Sequence, residues 1–135
     1  MPRMIFVNLP VTDLEKSMAF FAALGFRHNP QFTDKTAACI VFSDTIFAML
    51  LTHDKYRQFN AKPIADARAV SEVMVCLSAE SRDEVNALMD AALKAGATES
   101  RPAADHGFMF HRCFDDLDGH TWELMWMNPA AAAPH

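Results

Sequence analysis

The sequence is short of the residues that mark specialised chain types. Only four of its 135 residues are glycine and 51% are hydrophobic, so disorder is expected at the ends alone. Its three cysteines, Cys39, Cys76 and Cys113, lack any CxxC spacing, which excludes a disulfide framework and a zinc knuckle. Each falls in an apolar, strand-like run and is expected to be a plain core residue. Positive charge is in deficit. Twelve Lys and Arg face 17 Asp and Glu, for a net charge of −5 and a pI near 5.6. That balance argues against nucleic-acid and anionic-membrane partners. No apolar run approaches the roughly 20 residues of a membrane span. Pro2 and Arg3 lead into a short strand with no long apolar signal core, so a reducing, cytoplasmic setting is expected. Nucleophile elbow, P-loop, Rossmann fingerprint and HExxH motif are all absent.

What is present is a pattern that occurs twice. Met4 to Val11 is β-branched and aromatic and predicts a strand that Pro10 ends. Thr12-Asp13-Leu14-Glu15 has the form of a capping box, followed by a helical stripe of Leu14, Met18, Phe21 and Leu24 and a terminating Gly25. Phe26 to Thr33, Lys35 to Ser43 and Thr45 to Thr52 predict three strands separated by short polar turns. His53 to Ala69 is more polar and is expected to be a connection, long enough to suggest a lid or a wrapped linker.

Then the order repeats. Val70 to Ala79 predicts a strand, and Ser81-Arg82-Asp83-Glu84 a second capping box. Val85, Leu88, Met89, Ala92 and Leu93 form the helical stripe, and Gly96 caps it. Glu99 to Ala104, Gly107 to Asp115 and His120 to Asn128 predict three further strands, and the Ala-rich residues 129–135 a frayed tail. Thr12 corresponds to Ser81, Gly25 to Gly96, Asp44 to Asp118 and Met49 to Glu123, at offsets of 69, 71, 74 and 74. Two copies of one βαβββ unit account for this.

Asn8-Leu9-Pro10-Val11-Thr12-Asp13-Leu14-Glu15-Lys16-Ser17, with Phe20-Phe21 and Leu24-Gly25-Phe26 after it, is one local motif; the hairpin Asp118-Gly119-His120-Thr121-Trp122-Glu123 is another. On these residues, over about 4–128, the chain resembles the vicinal oxygen chelate superfamily, which includes glyoxalase I, bleomycin resistance proteins and extradiol dioxygenases. The resemblance implies an α+β fold of two tandem βαβββ modules, with mixed sheets curled into an open cup and helices outside. It implies a single domain: module one over about 4–54, a connection over 55–69, and module two over about 70–128. It also implies a homodimer.

Metal-dependent members take one ligand from the first and last strand of each module. By that resemblance the last-strand position of module two is Glu123 and its first-strand position Glu72. Module one offers Phe6 and Met49 there, and neither suits a hard or borderline metal. The four-ligand glyoxalase I site is therefore broken. Glu123 stands alone in a run apolar enough to be half buried, so it needs a partner or a purpose. Two inward carboxylates suit a divalent metal (Zn, Ni, Fe or Mn) or a general base with a raised pKa. His111 is the preferred third ligand. His120 is expected to point away from Glu123 and to serve the surface or the hairpin. Asp116 and Asp118 belong to turn formation rather than to a calcium loop. Asn8, Phe6, Phe47, Met49, Met74 and Met125 are expected to line a pliable apolar ligand site.

Two readings follow. The first is a metal-dependent lyase, isomerase or dioxygenase of unassigned reaction, with Glu123 as its catalytic carboxylate and a small-molecule substrate. The second is a metal-free protein that sequesters a small molecule, in the manner of the bleomycin resistance proteins.

Overall fold

The computed structural model describes residues 2–130, and the rest of the expected tail lies outside them. The chain divides after Ala65 into two compact units. The first contains β1 (Ile5–Val11), α1 (Leu14–Ala23), β2 (His28–Asn29), β3 (Ala37–Val41), β4 (Ile46–Thr52) and α2 (His53–Phe59). Its sheet runs β1-β4-β3-β2, with β1 parallel to β4 and the other pairs antiparallel. The register places Leu9, Ala48, Leu50, Ala38 and Ile40 on one face, all at most 3% exposed. They form the core with Leu14, Phe20 and Phe21 of α1.

The helix is capped by Asp13, whose carboxylate accepts from the Lys16 N–H at 3.1 Å, and not by the expected Thr12. A carboxylate does this as well as a hydroxyl and also suits the positive end of the helix. Phe26 N–H donates to Phe21 O and Gly25 N–H to Ala22 O, the paired closure that requires the left-handed φ of +97° at Gly25.

One expectation fails here for a local reason. The strand expected over Phe26 to Thr33 shrinks to His28–Asn29, because Asn29 accepts from Gln31 N–H and Pro30 opens a 3-10 turn over Pro30–Phe32. A proline that fixes φ and lacks an N–H ends the ladder. The connection after β4 begins with a helix, α2, capped by Thr52, which accepts from Lys55 N–H.

The second unit contains β5 (Met74–Ser78), α3 (Arg82–Lys94), β6 (Thr98–Asp105), β7 (Met109–Asp115) and β8 (Thr121–Met127). Its sheet runs β5-β8-β7-β6, again with first and last strands parallel. The same order and parallel pair in each unit are the two βαβββ modules expected from the sequence. Ser81 caps α3 by accepting from Glu84 N–H at 3.1 Å. Glu84 reaches back to Glu80 N–H, one residue before the cap. Val85, Met89 and Ala92 pack at 0% exposure with Phe114, Trp122 and Leu124 at 0–1%. Truncating such a side chain to alanine costs about 2–5 kcal/mol. The sheet's other face, away from α3, carries the candidate site.

The acidic turn between β7 and β8 is knotted by Asp116. Its Oδ1 accepts from the N–H groups of Asp118 and His120, both at 3.0 Å, and its Oδ2 from Trp122 Nε1 at 2.9 Å. Burial pushes this carboxyl up, against the opposing pull of His120 and these hydrogen bonds. Gly119 adopts φ +88°, and a Cβ there would lie 2.7 Å from Arg68 N, so only glycine lets residues 67–68 cross the turn.

Candidate functional site

Glu123 is the centre of the second sheet's open face. Cys76 on β5 and Cys113 on β7 are its register partners, Met125 is opposite His111, and Thr121 is opposite Asp115. Alternation puts these side chains on the face away from Trp122 and Leu124. Arg101 on β6, the register partner of Cys113, sends its guanidinium across β7 to meet Glu123.

Arg101 Nη2 donates to Glu123 Oε1 and also lies 3.2 Å from His111 Nδ1, which in turn is 3.6 Å from Glu123 Oε1. The Glu123 side chain is 22% exposed, that of His111 14% and that of Arg101 43%. A ring nitrogen that accepts from a guanidinium is unprotonated, so the His111 proton sits on Nε2. The thiols record the same charges. Burial, then the Glu123 carboxylate, pushes Cys113 up to about 11, with Arg101 opposing. Cys76 is raised by burial first, then by Glu123. Both therefore remain protonated at neutral pH. Beside His111, the His106 ring stacks at 5.6 Å and Phe108 lies 6.4 Å from His106.

Several sequence expectations are redrawn. Glu72 precedes β5 instead of lying in it, and its carboxylate meets His120 Nδ1 at 2.7 Å. The parallel register pairs Cys76 with Glu123, as it pairs Asn8 with Met49 in the first unit. The first-strand positions beside Met49 and Glu123 are thus Asn8 and Cys76, two and four residues beyond the expected Phe6 and Glu72 (8 − 6 = 2, 76 − 72 = 4). His120 is not on the surface: it is 3% exposed. Cys76 is exposed, in contrast to the buried Cys39 and Cys113. Of the proposed metal set, Glu123 and His111 come together, while Glu72 bonds elsewhere. Among the described residues no three His, Cys, Asp or Glu side chains converge to hold a metal. With a guanidinium on Glu123 and no third donor converging on it, the residues present do not fit a divalent metal.

In the first unit Phe6 stacks on Phe47 at 4.8 Å and remains 45% exposed. Asn8 donates from Nδ2 to Phe6 O at 3.3 Å, and Met49 is half-buried. In the second, Met74 is 49% exposed and Met125 half-buried. Arg101 was missed from the sequence. Its signal was being the only basic residue in a strand next to the one that carries His111.

The comparisons bear on this geometry. Residues 3–43 match the family model described as bleomycin resistance protein-like N-terminal. A hypothetical protein, SA1046, from S. aureus is 28% identical, with a TM-score of 0.78 over 93% of this chain and 95% of its own. A glyoxalase/bleomycin resistance protein/dioxygenase family enzyme from Burkholderia phytofirmans is 14% identical, with a TM-score of 0.76 over 93% and 99%. The chain has the vicinal oxygen chelate fold. A glyoxalase-related enzyme from Fulvimarina pelagi shares it at 20% identity, with a TM-score of 0.75 over 93% and 88%. No curated protein matches this chain in sequence. Among the described residues no helix is long and apolar enough to cross a membrane.

Proposed function

We propose that this vicinal oxygen chelate protein binds a small molecule without a metal, the bleomycin-resistance type of activity rather than a metal-dependent one. The observation that carries this is the Arg101 guanidinium on Glu123. A protein cation already neutralises the carboxylate that would otherwise anchor a metal, and displacing it would require breaking a charge-assisted hydrogen bond. The order of the two readings drawn from the sequence is thereby reversed. A homodimer in the cytoplasm is part of this proposal.

The test is ligand binding after chelation. A panel of planar and apolar small molecules is screened by thermal shift on protein treated with EDTA, then again after divalent metals are restored. At least one compound raises the melting temperature of the chelated protein, since a ligand of the native state must stabilise it. Shifts that appear only when metal is restored contradict the proposal.

A further inference from the structure

We infer that Arg101 and His111 form the polar end of a ligand site on the second sheet, one that takes an uncharged planar molecule through a carbonyl oxygen. The inference rests on the metal-free reading above and adds the class of ligand.

Arg101 spends only Nη2 on the protein. Its Nε and Nη1 hydrogens bond nothing among the described residues. His111 accepts at Nδ1, so its Nε2–H is a second donor without a partner there. Among the described residues, two neighbouring side chains therefore carry donor hydrogens with no acceptor.

Charge decides what they accept. Glu123 cancels the Arg101 charge, and Asp115, held by the Thr121 hydroxyl at 2.7 Å, adds a carboxylate to the same face. An anion gains nothing from such a balance, and a cation meets the guanidinium first. An uncharged acceptor meets neither penalty. The shape of the neighbouring surface sets the rest of the molecule. His106 stacks on His111 with ring planes 29° apart, and Phe108, half exposed, lies at 35° to His106; together they offer an aromatic shelf for a flat ring. Met125, opposite His111, supplies an apolar wall that adapts to what is stacked there.

A matched series on one ring tests this: 2-acetylnaphthalene, 2-naphthoate, 2-naphthylmethylamine and naphthalene, titrated by fluorescence into chelated protein. The ketone is expected to bind most tightly of the four. Arg101→Ala should weaken the ketone about tenfold, the worth of a hydrogen bond to a charged donor, and leave naphthalene within about twofold. His111→Phe retains the shelf and loses the donor, so it weakens the ketone and spares naphthalene; it also carries the test should the alanine variant fail to fold. The inference is overturned if none of the four binds, if the naphthoate or the amine binds most tightly, or if both variants bind the ketone like the parent. A stoichiometric metal on Glu123 would instead sink the metal-free reading, so the two failures are distinguishable.

Discussion

Arg101→Ala separates the guanidinium from everything else on the open face. The pair lies between the surface and the interior, with side chains 43% and 22% exposed. Exposed ion pairs contribute about 0.2–1 kcal/mol, and hydrogen bonds to charged groups about 1.5–3. Because Arg101 Nη2 serves both Glu123 and His111, we expect a loss of about 1–2 kcal/mol, discounted for exposure. Glu123→Gln should cost less, about 0.5–1 kcal/mol, because the amide oxygen still accepts from Arg101. The double variant should lose about 1 kcal/mol less than the sum of the two. In a chain of 135 residues an Arg101→Ala loss of that size lowers the melting temperature by roughly 3–8 °C. Urea denaturation of all four proteins, at low salt and again at about 0.5 M NaCl, reads out the coupling and its screening. Strict additivity, with coupling below about 0.3 kcal/mol, would refute the claim that these two side chains hold one another.

Four further outcomes are expected. Gly119→Ala should cost about 2–4 kcal/mol in urea, while Gly25→Ala, with open space around its Cβ, should cost only the φ penalty of about 1; equal losses would remove the role given to the residues crossing the turn. With a disulfide reagent at pH 8, Cys76 should react first yet more slowly than an ordinary exposed thiol, and Glu123→Gln should speed it by removing a charge that raises it. Cys113, raised from 9.0 to about 11, lets the unfolded chain lose a proton that the native state keeps. Its contribution is complete below pH 9 and lost as pH rises toward 11, so stability should fall over that range, less steeply in Glu123→Gln. Finally, His120→Ala should cost about 2–4 kcal/mol, since it empties a buried site and strands Glu72, whereas Glu72→Gln should cost under about 1; the reverse order in urea would contradict the pairing.

The modules were legible because their marks are local. Ser81 caps as expected and the cap of α1 falls one residue on, at Asp13; Gly25 and Gly96 close, and the stripes of α1 and α3 follow the helical period. Ser17, three residues after Leu14 on the buried face, was missed in the first stripe because it is polar, and Met18, read in its place, is only half-buried. Glu123 was legible as a lone carboxylate in an apolar strand. Its partner was not: Arg101 reaches it across β7, through two strand registers that include bulges after Glu99 and Arg101. The resemblance placed Glu72 at the first-strand position beside Glu123, but β5 starts at Met74 and the register puts Cys76 there. A four-residue error preserves the face and loses the neighbour.

The central claim is that a protein cation stands where a metal would. Elemental analysis of the purified protein, followed by titration with Ni²⁺, Zn²⁺, Fe²⁺ and Mn²⁺, tests it most directly. The expected result is metal content well below one per chain and weak binding that Glu123→Gln leaves unchanged. One tightly held metal per chain, lost in Glu123→Gln, would contradict it.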